Sequence, residues 1–279
     1  MSTSHISSER SQALRYVDLC FVVDTTASMS PFINAAKQQL VRTLEELAKK
    51  VQIDLNVGIV EYRDHPADKM GFVTKVHHFQ KDLDKLQKAI QSLTPFTGHP
   101  ADTPEAVLDG LKAAFEKLHW RPRSCRFIIL VGDAPPHAYA RWAQSRGLGT
   151  NFPDPFPDHF PEQCPSDLTI ESATVIAEQK LIKIYSMAMG RDQRTLASFE
   201  VLASATGGMG CLADASTVIK DILSLLDAEM KDLVLDEKVL DAVTAAPDFD
   251  AETLATTLGC TRYQAASSLG RLGRRGFLS

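Results

Sequence analysis

The chain of 279 residues is poor in cysteine. Its five, Cys20, Cys125, Cys164, Cys211 and Cys260, are scattered, odd in number and without a C-x-x-C pair, which argues against a disulfide framework or a zinc cluster. It has no excess of positive charge: a formal net charge of −5 offers nucleic acid or anionic lipid no whole-molecule attraction and leaves only a local basic patch open. Nowhere do about eighteen apolar residues run together, as a membrane helix requires, and residues 1–17 mix Ser, Glu and Arg instead of the apolar stretch of a signal peptide. A cytosolic protein is the expectation. Gly207-Gly208 lacks the spaced third glycine of a dinucleotide fingerprint, and no Ser/His/Asp or Cys/His set assembles with any specificity. Internal repeats and low-complexity segments are likewise missing.

What is present begins with Leu19-Cys20-Phe21-Val22-Val23, a short apolar run without helical period, which reads as a strand buried on both faces. Asp24, Thr26 and Ser28 follow it, and Ser30 and Pro31 are placed as N-cap and first residue of a helix. One carboxylate and two hydroxyls therefore sit on a strand-to-helix loop at the carboxyl end of a central strand, where open α/β sheets hold ligands. Alternate oxygen side chains converge on a hard cation such as Mg²⁺ or Mn²⁺. Helix capping by Thr26 and Ser28 is the plainer alternative.

The rest of the chain alternates. A helix runs to about residue 50, strands cover 53–62 and 72–79, and helices lie near 82–93 and 104–118. A buried strand at 127–131 ends in Gly132-Asp133. Helix 168–179, strand 182–187, helix 195–203, strand 210–212 and helix 216–231 complete the series. Strands two and three are joined too closely for a crossover, so they pair antiparallel. The class is α/β: a doubly wound, mostly parallel, Rossmann-like sheet with helices on both faces. In the strand order 3-2-1-4-5-6, Asp24 and Asp133 face each other across the crevice. The tail is 1–14, the sheet domain 15–232, and a small module occupies 235–279.

Asp24-x-Thr26-x-Ser28, then Asp102-Thr103-Pro104-Glu105-Ala106, then Gly132-Asp133-Ala134-Pro135-Pro136-His137, in this order, resemble a von Willebrand factor A-type domain with its metal-ion-dependent adhesion site, over about residues 15–232. The resemblance implies Mg²⁺-dependent capture of a protein ligand whose own Glu or Asp completes the ion's shell. It implies Asp24, Thr26, Ser28 and Asp133 as ligands. In the second loop Ala101 stands where many members have a metal-binding Thr, so Asp102 or Thr103 must substitute. Thr103 is wanted as the N-cap of the next helix, which favours Asp102. Asp64, His65, His99, His137 and Trp142, on loops leaving the same face, are the candidate partner contacts. The expected role is a non-catalytic adaptor within a multiprotein complex. A haloacid-dehalogenase-type phosphatase also uses an Asp after its first strand with Mg²⁺, but needs a second Asp where Thr26 stands.

The C-terminal module shows three helical patterns, 237–245, 251–257 and 262–272, with Asp250 as N-cap and a turn at Gly259, and looks like a helix-turn-helix or wingless winged helix. Arg262, Arg271, Arg274 and Arg275 are its candidate phosphate contacts, and a DNA-associated regulator is the alternative function. From Asp236 onward, though, five basic residues meet six acids, a poor electrostatic fit to DNA. Residues 134–167 hold half of the fourteen prolines and the aromatics Tyr139, Trp142, Phe152, Phe156 and Phe160, the composition of an ordered lid beside the metal rather than a solvated linker.

Overall fold

The computed structural model describes residues 12–98, 103–147, 158–246 and 250–278. The strands are β1 (Tyr16–Asp24), β2 (Asp54–Tyr62), β3 (Thr74–Gln80), β4 (Cys125–Gly132), β5 (Ile182–Met189) and β6 (Gly210–Ala213). The helices are α1 (Ser30–Val51), α2 (Leu83–Ser92), α3 (Val107–Lys117), α4 (Tyr139–Ser145), α5 (Ile170–Gln179), α6 (Gln193–Ser204), α7 (Val218–Ala245), α8 (Ala251–Leu258) and α9 (Arg262–Arg274), with a single helical turn at Ala67–Met70.

The sheet order is β3-β2-β1-β4-β5-β6, parallel except for the β2/β3 hairpin, as the sequence predicts. Alternation along β1 explains its uniform apolarity. Leu19, Phe21 and Val23 pack with α1, α2 and α7 on one face, and Cys20 and Val22 pack with α3 to α6 on the other. The order reverses between β1 and β4, so their carboxyl ends open the crevice in which ligands of such sheets are held.

Two departures reposition functional residues. Ser30 is the first residue of α1 rather than its cap: Met29 occupies the N-cap, and the Ser30 hydroxyl donates to the carbonyl of Ala27 across the short 3-10 turn Ala27–Met29. Helix α3 starts at Val107, with Ala106 at its N-cap, so Thr103 is not the cap it was expected to be. Residues 103–106 instead turn back to the loop after β4, where the Glu105 amide donates to the Pro135 carbonyl.

Helix α7 runs unbroken for 28 residues through the expected gap at 232–235, because nothing between Asp232 and Glu237 is a glycine or proline. Its first half buries Val218, Ile222, Leu226 and Met230 against the sheet layer, and its second half joins α8 and α9 around Val239, Leu254, Ala265 and Leu272. Ala13 and Leu14 complete that second core. Asp250 caps α8 through the Thr253 amide, and Gly259 takes the left-handed conformation of the turn (φ 65°).

Gly132 shows how tightly the crevice floor is built: a Cβ there would lie 2.1 Å from the Tyr62 hydroxyl, and the Tyr62 ring is fully buried. Gly132→Ala is expected to destabilise the protein by roughly 1–3 kcal/mol through overpacking. Urea denaturation checks this; an unchanged midpoint would show that Tyr62 swings aside freely.

Candidate metal centre

Asp24 ends β1 fully buried, with its Oδ1 accepting from the Thr26 amide at 2.7 Å. The Thr26 and Ser28 hydroxyls lie 3.2 Å apart. This loop is clamped by its neighbours: the Thr25 amide donates to the Tyr62 carbonyl, and the Phe96 amide to the Thr25 carbonyl. Arg63 adds a third tie, which the sequence reading missed. Its guanidinium donates to Thr25 Oγ1, Met70 O and Thr94 O, and lies 3.9 Å from the Phe72 ring centroid. Arg63 also places a positive charge near Asp24. From the other side, the Thr195 hydroxyl donates to the Asp133 carbonyl.

Carboxylate oxygens of Asp24, Glu105 and Asp133 lie within 4.8 Å of one another. Asp24 and Asp133 were expected; Glu105 was not. The sequence assigned Glu105 to the first turn of a helix, whereas the backward turn of 103–106 buries it in the crevice. The available signal was a lone acid directly before the apolar run Ala106-Val107-Leu108, with no local partner for its charge. Thr103 is half-buried two residues away. Asp102 and His99 lie outside the described residues, as do Phe152 and Phe156.

Burial and mutual repulsion set the electrostatics of the trio. Burial, aided by Asp133, pushes Asp24 up to about 7 despite its contact with Glu105 and its bonds to Thr26. Burial and the Asp24 charge push Glu105 well above the usual carboxylate range. The two side chains are close enough to share a proton, yet as ionised groups both only accept, which leaves Asp24 Oδ2 and Glu105 Oε2 buried without a donor. A proton or a metal ion resolves this, and the donor set is entirely oxygen.

Behind the trio stands a second buried network. His137 Nε2 meets Asp64 Oδ1 at 2.7 Å, and its Nδ1 meets Asp158 Oδ1 at 2.9 Å. Asp158 also accepts from the amides of Ala138 and Phe160, tying the far end of the long connection to its start. The His137 ring packs edge-on against Phe160, while His65 reaches Asp109 at 3.3 Å. The connection is ordered where it is described, but α4 lies within it, and Tyr139 and Trp142 belong to the core. Among its described residues the connection is thus part of the core rather than a separate lid.

Several expected partner contacts change role. Asp64 is fully buried and His137 2% exposed, so neither presents a surface; Asp64 orients His137 and His137 holds the connection. Trp142 is buried too, and with His137 faces a cavity of about 330 Å³ between α4 and α5, its indole donating to Glu171. His65 is half-buried against Asp109. The four candidate nucleic-acid arginines differ in their surroundings. Arg271 is bound to Asp236 and Asp232, and Arg275 is buried on the carbonyls of Arg123, Ala13 and Leu14. Arg262 pairs with Glu252, and only Arg274 is left exposed without an ion pair. No strand follows α9 among the described residues, so the module is helical throughout.

Residues 18–144 match the family model of the von Willebrand factor A domain. A 127-residue stretch is 32% identical to the alpha-protein kinase vwkA of Dictyostelium discoideum, covering 45% of this chain and 20% of that protein. A 121-residue stretch is 31% identical to a putative ariadne-like RING finger protein of Acanthamoeba polyphaga mimivirus, covering 43% of this chain and 11% of that protein. The chain thus spans a fifth or less of these relatives. The fold is also that of the pilus adhesin SpaC from Lactobacillus rhamnosus GG in its open conformation (TM-score 0.52, 16% identity, 79% of this chain and 30% of that one). It is shared by the conserved hypothetical protein BatB from Bacteroides thetaiotaomicron (TM-score 0.50, 15% identity, 77% and 98%). Family match and fold together support a von Willebrand factor A-type domain. No helix among the described residues is long and apolar enough to cross a membrane.

Proposed function

We propose that the chain is a non-catalytic adaptor that captures a protein ligand at an Mg²⁺-dependent site, with Mn²⁺ as the alternative ion. The observation that carries this reading is the trio of buried Asp24 and Glu105 and half-buried Asp133, with two donorless oxygens, beside the Thr26 and Ser28 hydroxyls. Hard oxygens of this kind suit Mg²⁺. Asp24, Glu105 and Asp133 would hold the ion, with Thr26 and Ser28 supplying neutral oxygens. The bound ion would fix the crevice loops and present an open coordination position to the partner.

Glu105 changes the chemistry expected of that partner. Three carboxylates against a divalent ion leave the occupied site with a net negative charge, so a further Glu or Asp from outside meets repulsion. An uncharged oxygen from a Ser, Thr, Asn or backbone carbonyl, or a basic rim around it, fits better. The immobilised chain is expected to retain a defined protein from host lysate in Mg²⁺, and to release it in EDTA or when carrying Asp133→Asn. Retention indifferent to both would overturn the reading.

A further inference from the structure

We propose that the cavity between the amino ends of β4 and β5 and the C-terminal helices binds a small phosphate-type oxyanion. It lies at the opposite end of the sheet from the carboxylate trio and measures about 130 Å³, several times the roughly 30 Å³ share of one water. Five cations line it, Arg126, Lys183, Arg271, Arg274 and Arg275, against one carboxylate, Glu229.

The surplus charge follows from who pairs with whom. Glu229 answers Lys183 at 2.6 Å, and Asp232 and Asp236 answer Arg271. Arg126 donates only to the carbonyls of Lys180 and Arg121, and Arg275 only to those of Arg123, Ala13 and Leu14. Carbonyl dipoles hold these guanidinium groups in place without neutralising them. Each retains a buried nitrogen with no acceptor, Arg126 Nε and Arg275 Nη1, and Arg275 is itself 9% exposed. Burial also lowers the Arg126 pKa, outweighing the opposing charge of Asp18. Arg274, exposed at the end of α9, adds a third unpaired charge at the rim.

Buried donors without acceptors are costly, and guanidinium forks match the geometry of phosphate oxygens. An oxyanion here would neutralise the surplus of cations in the lining and tie α9 to the foot of the sheet. The ligand is either the free ion or a phosphate monoester on a small molecule.

Calorimetry on the full chain in EDTA, at constant ionic strength, tests this with inorganic phosphate and, separately, phosphoserine. Phosphate is expected to bind, with sulfate competing and chloride not. Arg274→Gln and Arg126→Gln are each expected to weaken binding about tenfold or more, since each removes a cation from the cavity lining. Because the Arg274 side chain is exposed and makes no ion pair, its variant keeps the fold, which circular dichroism verifies. Phosphoserine binding more tightly than phosphate identifies a monoester, and the reverse order identifies the free ion. Absence of phosphate binding, or an affinity unchanged by both substitutions, overturns the proposal.

Discussion

Glu105→Gln is expected to weaken Mg²⁺ binding by more than about 100-fold while making the metal-free protein more stable. A ligand lost from the ion's own shell should exceed the roughly 10–100-fold that outer-shell losses cost. The gain in stability comes from the same residue, because Glu105 is a buried acid beside Asp24 and Asp133, and an amide of the same shape cannot ionise and so removes the repulsion that grows as pH rises. The amide also gives Asp24 a donor. The pH dependence has a definite sign. Asp24 is raised from 3.8 to about 7, so its contribution to stability is fully present below pH 3.8 and disappears as pH rises through about 7. In the same window Mg²⁺ binding strengthens, since the ion displaces a proton the pair otherwise keeps. Titration calorimetry between pH 5.5 and 8, with melting curves in EDTA, measures both. Mg²⁺ affinity unchanged by the substitution would remove Glu105 from the site and return the second-loop position to Asp102 or Thr103.

His137→Gln should cost on the order of 3–5 kcal/mol at pH 6, the usual consequence of removing one partner from a buried ionic network. Asp64 and Asp158 would each lose their cation. The bonds to Asp158 and Asp64 outweigh burial and raise His137 from 6.5 to about 9. A raised histidine contributes fully below pH 6.5, and that contribution, roughly 3 kcal/mol for such a difference, is lost as pH rises through about 9. Wild-type stability in EDTA should therefore decline between those limits, and the variant's decline over pH 6.5–9 should be shallower by about that amount. Hydrogen exchange adds a local readout, with amides near Ala138 and Phe160 losing protection first. Parallel pH profiles for the two proteins would show that His137 is neutral in the fold.

The contrast between Asp24 and Glu105 shows where sequence reasoning reaches. Asp24 was legible because its surroundings are local: five apolar residues before it make a strand, and that strand's central place follows from the alternation around it. Strand order and the β2/β3 hairpin were legible for the same reason. Glu105 depends on pairing with Pro135 and Pro136, some thirty residues on, which no local pattern encodes. Thr103-Pro104-Glu105 satisfies the rules for a helix start, yet the nonlocal bridge delays the helix to Val107. Arg63 was hidden likewise, since its acceptors belong to the turn before β3 and the segment after α2. Arg271 and Arg275 were read as free cations because Asp236 and the backbone of Ala13 and Leu14 meet them only after folding.

The uninterrupted α7 joins the two poles of the sheet by a single continuous rod. Strand β6 ends at Ala213 on the side of the carboxylate trio, so Val218 starts the helix at that end and Ala245 finishes it among α8 and α9. Twenty-eight residues span roughly 42 Å. A rod of that length, hydrogen-bonded along its whole axis, passes on an axial push or a twist with little loss. Its far half carries Asp232 and Asp236, which grip Arg271. One helix thus belongs to both poles of the sheet, and its two halves serve two different cores.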